Sequence, residues 1–433
     1  MKKYDTYKDS GNQWIGQVPE HWKILPIKYC AELFTGNSIS DRDKENYLDS
    51  TDAIPYIATK DINAQTLLTD YENGMYTKKE DASFKIASKG STLLCIEGGS
   101  AGRKKTYLTE DVSFVNKLCC FTAKKNMSGK YLYYYINSNE FVETFNNHIT
   151  GLIGGVSLSS LVNFKSPLPP LSEQQAIVEF LDKKTGQIDQ SIALLETQKT
   201  DLQAYRQALI TETVTKGLNP NAPMKDSGIQ WIGEIPAHWN TSKLKYMGES
   251  RNGLTYSPND VTDSGVLVLR SSNIQDSRLA FNDNVYVEKA PDFLRMHKGD
   301  LLICSRNGSI SLVGKCAYIP EDMDAVFGAF MLRYRPNKPN RFVYYVVQDA
   351  IRNYKAFYAT STVNQLTVDI FGNMNVPLPP LSEQQVIADY LDKKTGDIDT
   401  ALKQIDTQIA DLQAYRTALI SEAVTGKIDV RNQ

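Results

Sequence analysis

Leucine and isoleucine recur every seven residues along two stretches of the chain, residues 167–217 and 377–427. Such a period is typical of a long helix that buries a narrow apolar strip against another helix. We therefore predict two long helices that pair along this strip, called the seam here; two unrelated surface helices are the alternative. The predicted seam residues are Leu181, Ile188, Leu195, Leu202 and Leu209 in the first helix, and Leu391, Ile398, Ile405, Leu412 and Leu419 in the second.

The text PLPPL precedes both helices, and proline cannot continue a helix backwards. Ser172 and Gln175 have the spacing of a capping box, and Leu171 and Ala176 have the spacing of a hydrophobic staple. The second copy repeats the arrangement with Ser382, Gln385, Leu381 and Val386. We expect the helices to begin at Ser172 and Ser382.

A second repeated motif lies upstream of each helix, DSGNQWIGQVPEHW at residues 9–22 and DSGIQWIGEIPAHW at 226–239. All four tryptophans of the chain belong to these two stretches: Trp14, Trp22, Trp231 and Trp239. The motif is interpreted as a structural plug that docks a globular region on its helix, with ligand binding as the alternative. His21 and His238 are read as hydrogen-bonding residues of the plug rather than as catalysts.

Between plug and helix lie two less similar regions, residues 23–166 and 240–375, which alternate short β-like runs with turns. Framework pieces still correspond: IPYIATKDI at 54–62 with VLVLRSSNI at 266–274, and YLYYYI at 131–136 with FVYYVV at 342–347. Helices and plugs are copied almost verbatim while the regions between them differ. This contrast predicts a constant scaffold that carries two heads with different versions of one task.

The predicted fold class is α+β, with two globular α/β domains joined by two long antiparallel helices in a pseudo-twofold internal repeat. The antiparallel direction is favoured because one head must fit into the connection between the helices. The predicted boundaries are a first domain at 1–171, a helix at 172–216, a linker and second domain at 217–381, and a C-terminal helix with its tail at 382–433.

Net charge, cysteine content and the lengths of apolar runs limit the classes of protein to which the chain can belong. The net charge is −2, so any contact with nucleic acid has to come from local patches. Six cysteines show no zinc-type spacing, and no metal site is predicted. The N-terminal text MKKYDTYKDSG lacks an apolar signal region, and no apolar run is long enough to span a membrane. We expect a cytoplasmic protein with reduced thiols.

PLPPLSEQQ, the tryptophan plug and the ending EAVTGKIDVRN together resemble the specificity subunit of type I restriction–modification systems along the whole chain. The resemblance implies two target-recognition domains that each read one half of a split double-stranded DNA site, and a coiled coil that sets their separation. It implies two methyltransferase subunits and further restriction subunits as partners. S-adenosylmethionine, ATP and Mg are expected on those partners, with no cofactor on this chain.

The resemblance also implies that the subunit itself catalyses nothing, and the residues agree. Neither an amino-methylase motif of the Asn/Asp-Pro-Pro-Tyr/Phe type nor a phosphate-binding GxxxxGK[ST] loop is present, and the chain has four histidines. A coiled-coil scaffold that binds only proteins is the alternative function, and salt-dependent DNA binding separates the two.

Candidate DNA contacts follow from side-chain chemistry, since Arg, Lys, Asn, Ser and Thr reach base edges or phosphates. They lie at the end of a β-like run and in a following flexible loop of each head. In the first head these are Thr59, Lys60, Asp61, Gly99, Ser100, Arg103, Lys104 and Lys105. In the second they are Arg270, Ser271, Ser272, Asn273, Arg306, Asn307 and Ser309.

Overall fold

The computed structural model describes residues 2–151, 154–355 and 365–431, which form two compact units. Unit 1 comprises Met1–Glu196 and Asp406–Gln433, and unit 2 comprises Thr197–Ile405. Each unit therefore holds one head, the first part of one long helix and the last part of the other. Asn432, in the C-terminal motif, lies outside the described residues.

The head of unit 1 is built from short strands followed by short helices. The strands are β1 Tyr7–Asp9, β2 Gln17–Pro19, β3 Lys23–Pro26, β4 Ala31–Thr35, β5 Ala53–Ile57, β6 Tyr76–Lys78, β7 Ile86–Ala87, β8 Thr92–Cys95, β9 Lys105–Tyr107, β10 Val112–Phe114, β11 Leu118–Ala123 and β12 Lys165–Leu168. The helices are α1 Gly129–Ile136, α2 Asn139–Asn146, α3 Leu158–Leu161 and the long α4 Leu171–Lys216.

The head of unit 2 repeats this order. Its strands are β13 Met224–Asp226, β14 Glu234–Pro236, β15 Asn240–Lys243, β16 Gly248–Asn252, β17 Val261–Thr262, β18 Val266–Leu269, β19 Ile274–Gln275, β20 Arg278–Leu279, β21 Tyr286–Val287, β22 Leu301–Cys304, β23 Cys316–Tyr318, β24 Ala325–Phe327, β25 Met331–Pro336 and β26 Asn375–Leu378. Its helices are α5 Leu244–Met247, α6 Arg341–Asn353, α7 Val368–Gly372 and the long α8 Leu381–Val424.

One main sheet has the same strand order in both heads, and the second has the same three central strands but a different fourth strand at its edge. One sheet runs β4-β11-β8-β9 in unit 1 and β16-β25-β22-β23 in unit 2, with antiparallel neighbours. A second sheet contains the parallel pair β5–β10 in unit 1 and β18–β24 in unit 2. The chain enters and leaves each head through adjacent antiparallel strands, β3 with β12 and β15 with β26. The predicted α+β class with an internal repeat is thereby confirmed.

The framework pieces YLYYYI and FVYYVV are helical and form α1 and part of α6, although their sequence region had suggested β-like runs. Both segments are almost completely buried, and a short apolar run of this kind has no period that separates a strand from a buried helix. Ser128 and Asn340 accept from backbone N–H groups in the first turns and so act as N-caps.

The two long helices pair antiparallel within each unit, as predicted. In unit 1, Leu181 and Ile188 of α4 share a core with Leu419 of α8. In unit 2, Leu209 of α4 shares a core with Leu391 and Ile398 of α8, with Leu202 partly buried against it. Ile405 is also buried, Leu412 packs partly buried against the unit 1 core, and Leu195 is half-buried.

Ion pairs accompany the seam in both units. Arg416 Nε lies 3.1 Å from Asp189 Oδ1 in unit 1, and Arg206 Nε lies 3.1 Å from Asp399 Oδ1 in unit 2. Each arginine lies three residues before a seam leucine, Leu209 or Leu419, and therefore on the same helix face. A polar residue at such a position helps to fix the register that the helices adopt.

The starts of the long helices differ from the predicted capping box. The helices begin at Leu171 and Leu381, so that Ser172 lies inside the first turn. The Gln175 side chain donates to Glu179 rather than reaching back to the helix start, and Gln385 likewise donates to Asp389. Leu171, Leu381 and Val386 are 53%, 48% and 59% exposed, so the predicted staple leaves these side chains largely in solvent.

The tryptophan plugs do lock each head onto its helix. Trp22 is fully buried and its indole N–H donates to Glu173 in the first turn of α4, at 3.0 Å. Trp239 donates in the same way to Glu383 of α8, at 2.9 Å. Trp14 is an exception to the plug interpretation, because it is 37% exposed.

All six cysteines are free and buried. Burial raises the pKa of each thiol, to about 11 for Cys30 and for Cys120. Among the described helices, none is long and apolar enough to cross a membrane.

Candidate nucleic-acid interface

The first candidate element is the turn that follows a central strand of each head. In unit 1, Thr59–Asp61 forms a tight turn after β5, and the Asp61 carboxylate accepts from the N–H of Ala58 at 2.8 Å. In unit 2, Ser271–Asn273 forms the same turn after β18, and the Asn273 amide oxygen accepts from the N–H of Arg270 at 2.9 Å.

Asp61 and Asn273 are therefore internal supports of their turns. Asp61 also accepts from Asn73, and Asn273 also donates to the carbonyl of Ala280. Their exposed fractions are 9% and 0%, so neither side chain presents free groups to a base edge. We reassign both from base contacts to residues that shape the turn.

In each unit a lysine connects this turn to the second candidate element, the loop at 96–104 in unit 1 and at 305–315 in unit 2, which we call the glycine-rich loop. Lys104 donates to the Thr59 carbonyl at 2.7 Å, and Lys315 donates to the Ile274 carbonyl at 3.3 Å. The two candidate loops of each head are thus joined by a hydrogen bond, a contact that the sequence analysis did not predict. Lys315 was missed because only its neighbours Arg306, Asn307 and Ser309 stood out chemically.

Lys105 does not belong to this surface. It is 6% exposed, and its ammonium donates to the Ile136 carbonyl at the end of α1, at 3.0 Å. Burial lowers the pKa of Lys105 to about 7. Its burial leaves it a role in the core of the head rather than a contact with DNA.

The remaining candidates reach solvent to different degrees. Those that are exposed are Lys60, Gly99, Arg103, Arg306 and Ser309. Those that are half-buried are Thr59, Ser100, Lys104, Arg270, Ser271, Ser272 and Asn307. Whether any of them contacts DNA stays a prediction.

The second head holds its arginines more firmly than the first holds its lysine. Arg270 pairs with Asp283 at 2.8 Å, and the guanidinium of Arg306 lies 5.3 Å from the ring centre of Phe330. Lys60 is exposed and carries a flexible stem. A fixed guanidinium suits bidentate contact with guanine, whereas a flexible ammonium suits a phosphate.

A third segment, which contains Gly154 in unit 1 and Leu366 in unit 2, lies against the glycine-rich loop. This contact was not predicted. The N–H of Gly98 donates to the Gly154 carbonyl at 2.8 Å in unit 1, and the N–H of Leu366 donates to the Ser305 carbonyl at 2.7 Å in unit 2. Phe330, 59% exposed, is a further missed residue beside this loop. The repeated glycines of TGLIGG at 150–155 were the available signal.

These loops together offer hydrogen-bond donors of the kind that nucleic-acid recognition uses. Guanidinium, ammonium and hydroxyl groups lie on adjacent loops, on a sheet framework that is the same in both heads. The donors differ at corresponding positions: Thr59 and Lys60 in one head, Ser271 and Ser272 in the other. Equal frames with unequal donors suit recognition of two different base sequences.

Comparison with known proteins identifies the class. The type I restriction modification DNA specificity domain matches residues 19–203 and 236–410, that is, both heads and most of both long helices. The chain therefore belongs to the type I restriction–modification DNA specificity family.

Relatives cover nearly the whole chain. The specificity subunit of the type I restriction enzyme EcoKI from Escherichia coli (strain K12) is 25% identical over 440 residues, which cover 95% of this chain and 90% of the relative. The MjaVIII specificity subunit from Methanocaldococcus jannaschii is 23% identical and covers 96% of this chain and 95% of its own.

A solved structure supports the fold. A chain from a structure concerned with complex assembly and conformational transition of the type I R-M system superposes with a TM-score of 0.72. It is 15% identical and covers 95% of this chain and 99% of its own. The predicted class, a DNA-recognising specificity subunit rather than an enzyme, is confirmed by the family match and by the named relatives.

Proposed function

We propose that this chain reads a split DNA target, one half with each head, and that it assembles two methyltransferase subunits and the restriction subunits around its paired helices. The partners supply S-adenosylmethionine-dependent adenine methylation and the ATP- and Mg-dependent steps. The observation that supports this proposal most directly is that the two heads share a sheet framework, whereas their loops present different side chains at matching positions.

The entry strands support independent recognition by the two heads. β3 with β12 and β15 with β26 bring the chain into and out of each head side by side, and the base of each head shares a core with the long helices. Tyr134 and Tyr345 then donate equivalent bonds to Asp182 and Asp392 of the long helices, at 2.5 and 2.6 Å. A head with other loops keeps the same attachment.

The test is to assemble the chain with the methyltransferase subunit of its own system and map methylated adenines on genomic DNA. A split target is expected. Replacement of residues 23–166 by the head of another family member is expected to change one half of the target and leave the other half unchanged. A contiguous target, or a target unaffected by the exchange, contradicts the proposal.

Substitution of single arginines tests the contribution of individual side chains to DNA binding. Arg103→Ala and Arg306→Ala are each expected to weaken DNA binding of the assembled complex by about 1–3 kcal/mol if they contact bases, with discrimination lost in one half-site only. Lys289→Ala, an exposed cation of the second head whose side chain is 89% exposed, is the control. DNA binding that does not fall with salt would favour a scaffold that binds proteins alone.

A further inference from the structure

A groove lies beside the first turn of α8 in unit 2, and none of the candidate DNA contacts is among its described lining residues. Its volume is about 430 Å³, and its lining includes Tyr246, Pro380 and Leu381 together with His238 and Lys338. Tyr246 is 68% exposed and Leu381 is 48% exposed. We call this surface the Tyr–Leu groove of unit 2.

The corresponding residues in unit 1, at the start of α4, are Tyr29, Pro170 and Leu171, and by this correspondence we call the surface that they form the Tyr–Leu groove of unit 1. Tyr29 is 57% exposed and Leu171 is 53% exposed. Each tyrosine carries its own lysine: Lys28 Nζ lies 5.5 Å from the ring centre of Tyr29, and Lys245 Nζ lies 5.4 Å from that of Tyr246.

Both grooves rest on fixed backbone. The buried Gln174 donates to the Pro169 carbonyl at 2.9 Å, and Gln384 donates to the Pro379 carbonyl at 2.8 Å. Asparagine side chains bond the two tyrosine carbonyls, Asn126 to Tyr29 and Asn337 to Tyr246, each at 3.4 Å. A preformed surface binds a partner at a lower entropic cost than one that must be ordered on binding.

Folding does not account for these exposed apolar side chains. Single exposed leucines are common in folded proteins and carry no information. Here, however, the same leucine and the same tyrosine are exposed at matching places in both units, while the recognition loops of the two heads differ. A surface that is retained twice next to loops that diverge indicates one kind of partner bound twice.

The chemistry of the rim specifies that partner further. Lys28 and Lys245 are exposed beside the tyrosines, and Lys338 adds a third cation in unit 2. Two carboxylates in the first turns of the long helices are engaged by histidines of the plugs: Glu173 lies 2.7 Å from His21, and Glu383 lies 2.6 Å from His238. Each groove thus combines exposed apolar side chains with at least one lysine.

We propose that each Tyr–Leu groove docks a segment of the methyltransferase subunit that carries an apolar anchor flanked by acidic residues, one segment per groove. This inference rests on the proposed function. A peptide segment fits better than DNA, because leucine and proline offer nothing to phosphate, whereas an aromatic anchor surrounded by a polar rim is typical of protein interfaces.

The test measures the number and affinity of methyltransferase subunits bound to the full chain, by mass photometry and titration at fixed salt. Tyr29→Ala and Tyr246→Ala are each expected to weaken one of two binding events by about tenfold or more, and the double variant to weaken both. Lys28→Glu and Lys245→Glu are expected to act in the same direction. Leu68→Ala and Phe281→Ala, at 68% and 47% exposed positions in the heads, are matched controls.

Photo-crosslinking can identify the segment of the methyltransferase subunit that docks in the groove. With p-benzoylphenylalanine in place of Tyr246, we expect a crosslink to a methyltransferase segment that contains an apolar residue between aspartates or glutamates.

The outcomes separate the two proposals. If the double variant binds two methyltransferase subunits with unchanged affinity, the groove proposal is overturned while the proposed function stands. A double variant that keeps the subunits but loses DNA binding also overturns it, because the groove then contacts DNA. If the unaltered chain binds no methyltransferase subunit, the proposed function itself fails.

Discussion

In both units a buried tryptophan of the plug donates to a glutamate in the first turn of a long helix, and we call this contact the tryptophan–glutamate lock. The surroundings of the two locks differ. In unit 1, Glu173 accepts from Tyr4 and Trp22, lies 2.7 Å from His21 and has 10% of its side chain exposed. In unit 2, Glu383 has 41% of its side chain exposed. Copied residues therefore fix the geometry of the lock, while its burial depends on which other segment covers it.

That covering segment in unit 1 comes from the two ends of the described chain. The N–H of Asp429 donates to the Lys2 carbonyl at 2.8 Å, and Arg431 lies with its guanidinium 4.8 Å from the ring centre of Tyr4. In unit 2 the linker at 217–225 precedes the plug instead. Equal motifs therefore need not contribute equally to stability.

Substitution of the buried tryptophan, which both locks share, is expected to have the greatest consequence for stability. Trp22→Ala and Trp239→Ala are each expected to destabilise their own unit by about 3–5 kcal/mol, because both rings are fully buried. Trp14→Ala, at a 37% exposed position, is expected to cost far less. Hydrogen exchange followed by mass spectrometry assigns each loss to a unit, and equal costs at Trp14 and Trp22 would refute the assignment.

The next effect tests what the locks do not share. Glu173→Gln is expected to cost about 1–3 kcal/mol, because the change weakens several bonds to a buried carboxylate. Glu383→Gln is expected to cost less, since solvent screens the more exposed site. Urea unfolding with unit-resolved exchange measures both, and a greater loss for Glu383→Gln would reverse the comparison.

A third difference lies at the first residue of two corresponding strands, Lys105 of β9 and Cys316 of β23. Burial lowers the pKa of Lys105 to about 7, well below that of a lysine in the unfolded chain. Between these two pKa values the unfolded chain binds more protons than the folded one, so this residue makes stability rise with pH.

We therefore expect unit 1 to gain about 1–2 kcal/mol relative to the Lys105→Met variant when the pH is raised from 7 to 8.5. Unfolding of both proteins at the two pH values measures the difference. Cys316→Ala is the control: that thiol stays neutral when folded and ionises near pH 8.5 only in the unfolded chain, so its effect is smaller and of the opposite sign. Parallel pH profiles of the unaltered chain and Lys105→Met would contradict the prediction.

The smallest expected effect is a gain in both units alike. Gly186 and Gly396 lie inside the long helices, and a methyl group added at either meets no atom within 4 Å. Ala at each position is expected to stabilise its unit by about 0.5–1 kcal/mol. Gly217→Ala is the opposite control, because its φ of +72° and the Trp239 ring 3.0 Å away disfavour a side chain. Thermal unfolding compares the three variants.

The sequence predicted the long helices and their pairing because their signals are long and periodic. Leu181 and Leu391 were assigned to the seam from spacing alone, and both are fully buried. The predicted capping box is wrong because Ser172 and Gln175 match only a short sequence pattern. Such a pattern does not determine whether the helix begins at Leu171 or at Ser172. The α1 and α6 segments failed because complete burial removes the alternation that distinguishes strand from helix.

The candidate interface was predicted only in outline. Chemistry alone located the two loops, and Lys104 does join them. It could not tell Lys105 from Lys104, because neighbouring residues on a strand face opposite sides and only the three-dimensional fold decides which side is core. The segment next to Gly98 was missed for a related reason, since it lies about 50 residues away along the chain.

The complete burial of the six thiols, with their raised pKa values, makes the folded protein a poor substrate for maleimides, which react with thiolates. A single cysteine introduced at an exposed site, such as Ser309→Cys beside the recognition loop of unit 2, would then be the preferred point of attachment for a fluorophore. Site-specific dyes can thus be placed on either head without first removing the native sulfhydryls.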